Sequence, residues 1–351
     1  MNKHYNIVII GAGPSGCIFA SELYKSNKNY SIALIDGQTE ENKKPCGGLL
    51  APDAQKELTK LNLTLPKYIL TDPQIFEVET IDLKSRIKKY YQRHYLNMDR
   101  YKFDKWLLSL IPEGVDVIND RCIYIRKSES IYNLKLKNGV EISCDYIVGA
   151  DGGSSIVRRT LFPALTYRYT SIQEWFKCDK GLFPYYSCIF DPNTSDSCSW
   201  TIFKDDYIIY GGAFKTLDCK TRYEEQKKMV EEYIGYKFGK PERTEACMLS
   251  SPRKWKDFLC GRENAYLIGE AAGFISSSSF EGISSALASG KMLSLAFINS
   301  KKSKNILKLY KKYSFKLRIK LYLKTLKRKI LCSPFLRFII MKSGIKSIKK
   351  Y

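Results

Sequence analysis

Residues 5–10 end in the apolar, β-branched run Ile7-Val8-Ile9-Ile10, and Gly11-Ala12-Gly13-Pro14-Ser15-Gly16 follows with no residue between. The run predicts a buried parallel strand, and residues 17–25 predict a helix. A second predicted strand, residues 31–35, ends in Asp36, twenty residues after Gly16. Strand, G-x-G-x-x-G, helix, strand and acid together predict a dinucleotide-binding unit. Gly11 serves the tight turn, Gly13 clears the approach of a pyrophosphate, and Gly16 lets the helix pack closely on the strand. Pro14 and Ser15 lie in the glycine turn, just ahead of the predicted helix. Its N-terminus offers unpaired N–H groups and a positive dipole end to the phosphates. Asp36 is placed to accept hydrogen bonds from the adenosine ribose.

Composition narrows the chemistry open to such a unit. His4 and His94 are the only histidines, which argues against a histidine metal site or a Ser-His-Asp triad. The eleven cysteines include no C-x-x-C pair. The ten-residue spacing of Cys178, Cys188 and Cys198 fits no zinc or iron–sulfur pattern. Reduced, mostly buried thiols in a cytoplasmic protein are expected. No stretch of about 20 residues is continuously apolar. The short run at residues 7–10 ends in glycines, so it reads as a strand rather than a signal peptide. The excess of 22 positive charges is concentrated at one end. Eighteen of the 58 Lys and Arg residues fall in residues 301–351, where no acid occurs.

Two later segments repeat the strand, glycine, acid, helix pattern. One runs from Asp145 through Gly149, Asp151 and Gly152 to Arg158. The other runs from Ala265 through Gly269, Glu270, Gly273 and Phe274 to Gly282, Ile283 and Gly290. With the first motif they resemble the flavoprotein family of aromatic hydroxylases and geranylgeranyl reductases, which implies FAD. The resemblance puts Gly269 and Glu270 beside the ribitol and diphosphate, with Glu270 one methylene longer than the usual Asp. It puts Gly282 and Ile283 at the opening of a helix facing the flavin pyrimidine edge. Asp151, Gly152, Gly273 and Phe274 fall in the same matched segments. The resemblance also makes Arg100 a phosphate or flavin contact. The plain alternative for Arg100 is a surface ion pair.

Lys44-Pro45-Cys46-Gly47-Gly48 predicts a turn whose glycines let backbone approach a ligand. It resembles the loop of the geranylgeranyl reductase branch, in which a cysteine lies near the flavin ring. Residues 44–55, 72–76, 91–93 and 269–285 are further similar to the bacterial CbrA-type proteins within that family, almost from end to end. Cys46 has three readings. It donates a proton to a substrate carbon, as an ordinary thiol can near neutrality; it shapes the pocket; or it forms a redox partner or adduct with the flavin.

The predicted fold class is α/β. It comprises a Rossmann-like FAD-binding domain (1–66, 97–160, 260–300), an inserted antiparallel-sheet substrate domain (67–96, 161–259) and a basic helical tail (301–351). Asn97 is the expected cap of a helix through Leu110, and Asn138-Gly139 the turn of a β-ribbon over residues 131–148. Strands over 185–190, 199–203 and 207–214 carry the candidate pocket residues Trp200, Phe203 and Tyr210. The reductases have Y-x-W-x-F-P at this point, whereas here only Trp200 matches. Ser276 to Ser279 make the approach to the last helix polar.

In the tail, Ile306, Tyr310, Tyr313, Leu317 and Leu321 form a helical stripe among Lys and Arg, with Pro334 beyond. An anionic membrane surface, nucleic acid as the less favoured polyanion, or simple packing on the body would each suit it. Three functions remain open. The first is an FAD-dependent reductase of carbon–carbon double bonds in an isoprenoid or polyprenyl lipid. The second is a monooxygenase acting on an apolar or aromatic small molecule. The third is a non-enzymatic, membrane-associated flavoprotein. No second G-x-G-x-x-G is present, so NAD(P)H would bind transiently, and a reduced ferredoxin or flavodoxin is an equal candidate donor.

Overall fold

The computed structural model describes residues 3–39, 44–165, 167–178, 186–300 and 303–350. The chain begins with β1 (Lys3–Ile10), α1 (Pro14–Ser26) and β2 (Ile32–Ile35). β3 (Leu49–Leu50), α2 (Pro52–Lys60), β4 (Ile75–Asp82) and β5 (Ile87–Asn97) follow. Then come α3 (Arg100–Ser109), β6 (Val115–Ile118), β7 (Cys122–Ser128), β8 (Ile131–Leu136), β9 (Glu141–Gly149) and α4 (Ile156–Leu161). The next group is β10 (Arg168–Lys177), β11 (Tyr186–Phe190), β12 (Ser199–Lys204), β13 (Tyr207–Phe214), α5 (Cys219–Ile234) and β14 (Arg243–Ser250). β15 (Gly261–Arg262), β16 (Ala265–Leu267) and α6 (Ile283–Ile298) precede the tail helices α7 (Ser303–Tyr313), α8 (Phe315–Cys332) and α9 (Pro334–Ser343).

The elements build two sheets. The first has parallel strands in the order β16-β9-β1-β2-β6, with the antiparallel ribbon β7-β8-β9 on one side. Its core strands read as continuous apolar runs because both faces are covered: Ile7 to Ile10 and Ile32 to Ile35 are all buried. α1 packs against α6 on one face. The β-ribbon turns at Asn138-Gly139 as predicted. The helix start is corrected. Asn97 ends β5, and Asp99 caps α3, its Oδ1 accepting from Tyr101 N at 2.8 Å and Lys102 N at 3.0 Å.

The second sheet runs β14-β10-β13-β12-β11-β4-β5-β3, with β11 and β4 parallel and the other pairs antiparallel. α5 covers one of its faces through Tyr223, Gln226 and Val230. The strand expected from Tyr185 starts at Tyr186 among the described residues, Tyr185 itself lying outside them. β3 pairs Leu49 with Asn97 and Leu50 with Leu96, so the segment just after the cysteine loop is bonded into the second sheet.

The tail runs over both halves. Its predicted stripe faces inward: Ile306, Tyr310 and Leu321 are buried, and Tyr313 and Leu317 pack partly buried beside them. Tyr310 Oη donates to Leu267 O at 3.0 Å. Residues 301, 302 and 351 of the expected tail lie outside the described residues. No helix of the described residues is long and apolar enough to cross a membrane.

Candidate functional site

A cavity of about 990 Å³ lies along the carboxyl ends of the first sheet and continues to the second. Such a position is where ligands bind in open α/β sheets, because the strand order diverges on either side of β1. Ile10 and Gly11 after β1, Ile35 and Asp36 after β2, Asn119 after β6, and Ala150 and Asp151 after β9 all line it.

The glycine turn is tightly built. Gly11 has φ +106°, and a Cβ there would stand 2.6 Å from Ala150 O. A Cβ on Gly16 would run into Gly11 O, so Gly16 serves helix–strand contact and does not line the cavity. Gly13 faces open space, with nothing within 4 Å of an added Cβ. Pro14 and Ser15 start α1 at the cavity wall. Asp36 is buried, its Oδ2 accepting from Lys105 Nζ at 3.0 Å and its Oδ1 from Gln38 N at 3.1 Å. Asp151 Oδ2 accepts from Ile156 N at 2.6 Å, while Oδ1 is buried and has no partner among the described residues. Burial raises the Asp151 pKa above the ordinary carboxyl range. Gly152 lies beside it on the wall. An open glycine cradle at a helix N-terminus, with a buried acid at the end of the neighbouring strand, fits a dinucleotide such as FAD.

Residues far apart in sequence close the other end. Lys44 Nζ pairs with Glu270 Oε2 at 3.0 Å, and Glu270 Oε1 accepts from Ser250 N at 3.0 Å. Glu270 holds the Lys44 pKa above that of an ordinary lysine although burial opposes it. Glu270, Gly282 and Ile283 line the cavity; Gly269, Gly273 and Phe274 do not, and form the packed turn behind Glu270. Gly269 N donates to Ser289 Oγ at 2.9 Å, and Phe274 is fully buried. Ser276 and Ser277 are buried, and Ser279 reaches the wall.

Lys44, Pro45, Cys46, Gly47 and Gly48 all line the cavity. Gly48 N donates to Cys46 Sγ at 3.4 Å. Gly48 has φ +67°, and a Cβ there would strike Met98 O and the Lys204 amine. Arg100 is neither a surface pair nor free. It is mostly buried, bonds Asp104 Oδ1 at 3.0 Å and lies against the Cys46 thiol. Burial works against its charge, but Asp104 and Cys46 outweigh burial and raise its pKa.

The second sheet contributes by parity. Trp200 and Ile202 face the cavity, and Gly211 opposite Trp200 leaves room for the indole. Phe203 and Tyr210 do not line it. Phe203 is an odd number of residues from Trp200, and Tyr210 pairs with Thr201, so both point to the α5 face. Tyr210 Oη donates to Gln226 Oε1 at 3.0 Å there.

The same parity marks a residue that sequence reasoning missed. Lys204 follows Trp200 and Ile202 on one face, and its Nζ is buried beneath the cysteine loop. It donates to Asn97 Oδ1 and Met98 O, each at 2.6 Å, to Thr71 Oγ1 at 3.3 Å and to Gly48 O at 3.5 Å. Burial lowers its pKa to about 8. Tyr95, Gln173 and Tyr186 also reach the wall, and Tyr95 Oη donates to Glu281 Oε1 at 2.8 Å. All eleven cysteines are free thiols, and no group of three potential metal ligands occurs among the described residues.

The chain matches known proteins in three ways. The family profile described as lycopene cyclase protein matches residues 6–175. Protein CbrA of Shigella flexneri serotype 5b (strain 8401) is 43% identical over 354 residues, covering 99% of this chain and 95% of that protein. Among solved structures, a geranylgeranyl bacteriochlorophyll reductase-like protein of Thermoplasma acidophilum superposes with a TM-score of 0.78 at 16% identity, over 95% of this chain and 89% of that one. PqsL of Pseudomonas aeruginosa, described as a probable FAD-dependent monooxygenase, does so with a TM-score of 0.69 at 16% identity, over 97% and 100%. The fold is therefore that of reductase-like and monooxygenase flavoenzyme structures.

Proposed function

The chain belongs to the CbrA family, and on that premise we propose that it is an FAD-dependent oxidoreductase reducing carbon–carbon double bonds of an isoprenoid or polyprenyl lipid. The observation that carries the reading is one continuous cavity, which joins the dinucleotide cradle to the Cys46 loop, Leu49, Trp200 and Ile202. The N-terminus of α1 would hold the diphosphate, Asp36 the ribose, and Gly282 and Ile283 the ring edge. Bound FAD, once reduced, supplies the hydride. Leu49, Tyr95, Tyr186 and Ile202 bind apolar carbon and exclude water. Cys46 Sγ, positioned by Gly48 N and faced by Arg100, is placed to give up the proton that completes addition of two hydrogens, because both contacts stabilise the thiolate left behind. NAD(P)H or a reduced ferredoxin or flavodoxin would restore the reduced state.

The test is anaerobic turnover of the purified protein with chemically reduced FAD and a bacterial lipid extract, read by mass spectrometry. A polyprenyl species should gain two hydrogens per turnover. Cys46→Ala should slow that gain by about 100-fold if the thiol is the proton donor. An FAD-binding protein that changes no lipid would sink the reading. A second reading, a monooxygenase of a small aromatic molecule, is favoured by Trp200 Nε1, a buried donor near the cavity with no partner among the described residues. It predicts a product that forms only in air.

A further inference from the structure

The last two long helices are built inside out. α8 buries Leu321, Thr325 and Arg328, whereas Leu323, Leu326 and Ile330 on the same helix are exposed. α9 buries Arg337 and Met341 and exposes Phe335, Leu336 and Ile339. Phe335 is 71% exposed and Arg337 only 3%. A helix resting on a protein body normally does the reverse.

The buried cations explain how these helices stay in place. Arg328 Nη2 donates to Tyr169 Oη and Asp196 O, each at 2.7 Å. Arg337 Nε meets Asp82 Oδ2 at 2.7 Å, with both side chains buried. At the surface, Lys320 Nζ, itself exposed, also meets Asp53 Oδ2 at 2.9 Å. The body thus supplies the acids and the tail supplies the cations. Leu321 and Met341 turn inward, and most of the remaining apolar side chains point outward.

What surrounds them has one sign. Exposed Lys316, Lys327, Lys329 and Lys342 flank the apolar side chains, and residues 301–351 hold no Asp or Glu. Trp255, itself 39% exposed, stacks edge-on with Phe315 and Tyr322 beside this face. A contiguous apolar face, a ring of lysines and a half-exposed tryptophan cluster match the chemistry of a headgroup–acyl boundary.

We propose that the outward faces of α8 and α9 seat this protein in the surface of an anionic lipid bilayer. Leu323, Ile330, Phe335 and Ile339 enter the acyl boundary, and the lysines pair with lipid phosphates. The helices lie in the surface plane and span nothing. Lys320 and Lys324 of α8 meet Asp53 of α2, and Ala51 and Ala54 beside it line the cavity.

The test reads binding alone, so it succeeds or fails whatever the cavity reduces. FAD-loaded full-length protein is sedimented with vesicles of phosphatidylglycerol and phosphatidylethanolamine, and separately with phosphatidylcholine vesicles. Binding should be roughly tenfold stronger on the anionic vesicles and should fall as salt rises. The triple variant Leu323→Ser/Phe335→Ser/Ile339→Ser should lose roughly tenfold of that binding while its melting temperature is retained. Tryptophan emission should shift to the blue on anionic vesicles, and Trp255→Phe should remove the shift. Equal binding to both vesicle types, or binding that survives the triple variant, overturns the proposal. So does a dimer in sedimentation velocity that the triple variant dissolves, because the face would then be an interface between copies.

Discussion

The helices α1 and α8 obey opposite rules. α1 buries Cys17, Ile18, Phe19, Ala20 and Leu23 against the first sheet and α6. α8 buries Leu321 together with a threonine and an arginine, and leaves Leu323, Leu326 and Ile330 in the open. Burial of apolar area, worth about 25 cal/mol per Å², is enough to place α1. α8 is placed by Leu321 in the core and, further along the helix, by the hydrogen-bonded charge of Arg328, while the rest of its apolar surface remains available. A helix position can thus be set by either currency, and the residues it leaves outside reveal which was used.

The sharpest break of this contrast is at the cradle. Gly11→Val would force a β-branched residue into φ +106° and against Ala150 O. The purified variant should carry no flavin absorbance, and added FAD should not restore it. The next effect is in the tail. Arg337→Leu strands the buried Asp82, which should cost about 3–5 kcal/mol in urea unfolding. Adding Asp82→Leu should return most of that loss. Were Arg337→Leu nearly neutral, charge would not be what holds α9.

Lys204 is the cavity's counterpart of those buried arginines. Its pKa near 8 lies below that of an exposed lysine. Between about pH 8 and 10 this site holds more proton in the unfolded chain than in the native one, so its own contribution to stability grows as pH rises, by up to roughly 3 kcal/mol. Burial pushes thiols such as Cys122 and Cys247 up, which pulls the other way, so urea titrations at the two ends of that window should show the Lys204 gain as a difference between the parent protein and Lys204→Met. The smallest effect belongs to the outward face. Leu323→Ser should change stability by no more than about 0.5 kcal/mol, as for an ordinary surface site. A larger loss by thermal melting would mean that the exposed leucine packs on something in solution.

The residues that were legible and those that were not differ in sequence separation. Gly11, Gly13, Gly16 and Asp36 act within one strand–helix–strand unit, so spacing alone located them. The cap of α3 was misplaced by two residues because Asn97 and Asp99 are both good caps. Lys204 decides between them, since its amine takes the Asn97 carbonyl oxygen. Phe203 and Tyr210 were read from composition as pocket residues, although the two-residue period of β12 already set Phe203 opposite Trp200. The tail stripe was found correctly as a stripe, but its direction was open. A basic helix with two apolar sides looks the same in sequence whichever side faces the body.

By itself the sequence determined the nucleotide unit, the two families of strands and the basic end, because each is a local pattern of glycine, alternation or charge. Tertiary structure alone decided that Lys44 meets Glu270, that Lys204 lies under Gly48, and that Asp82 and Asp196 draw Arg337 and Arg328 inward. Those pairs join residues from about 130 to more than 250 positions apart. For Lys204 and for Arg337 with Asp82, the strength depends on being shielded from water together, a property of the folded interior that no spacing along the chain encodes.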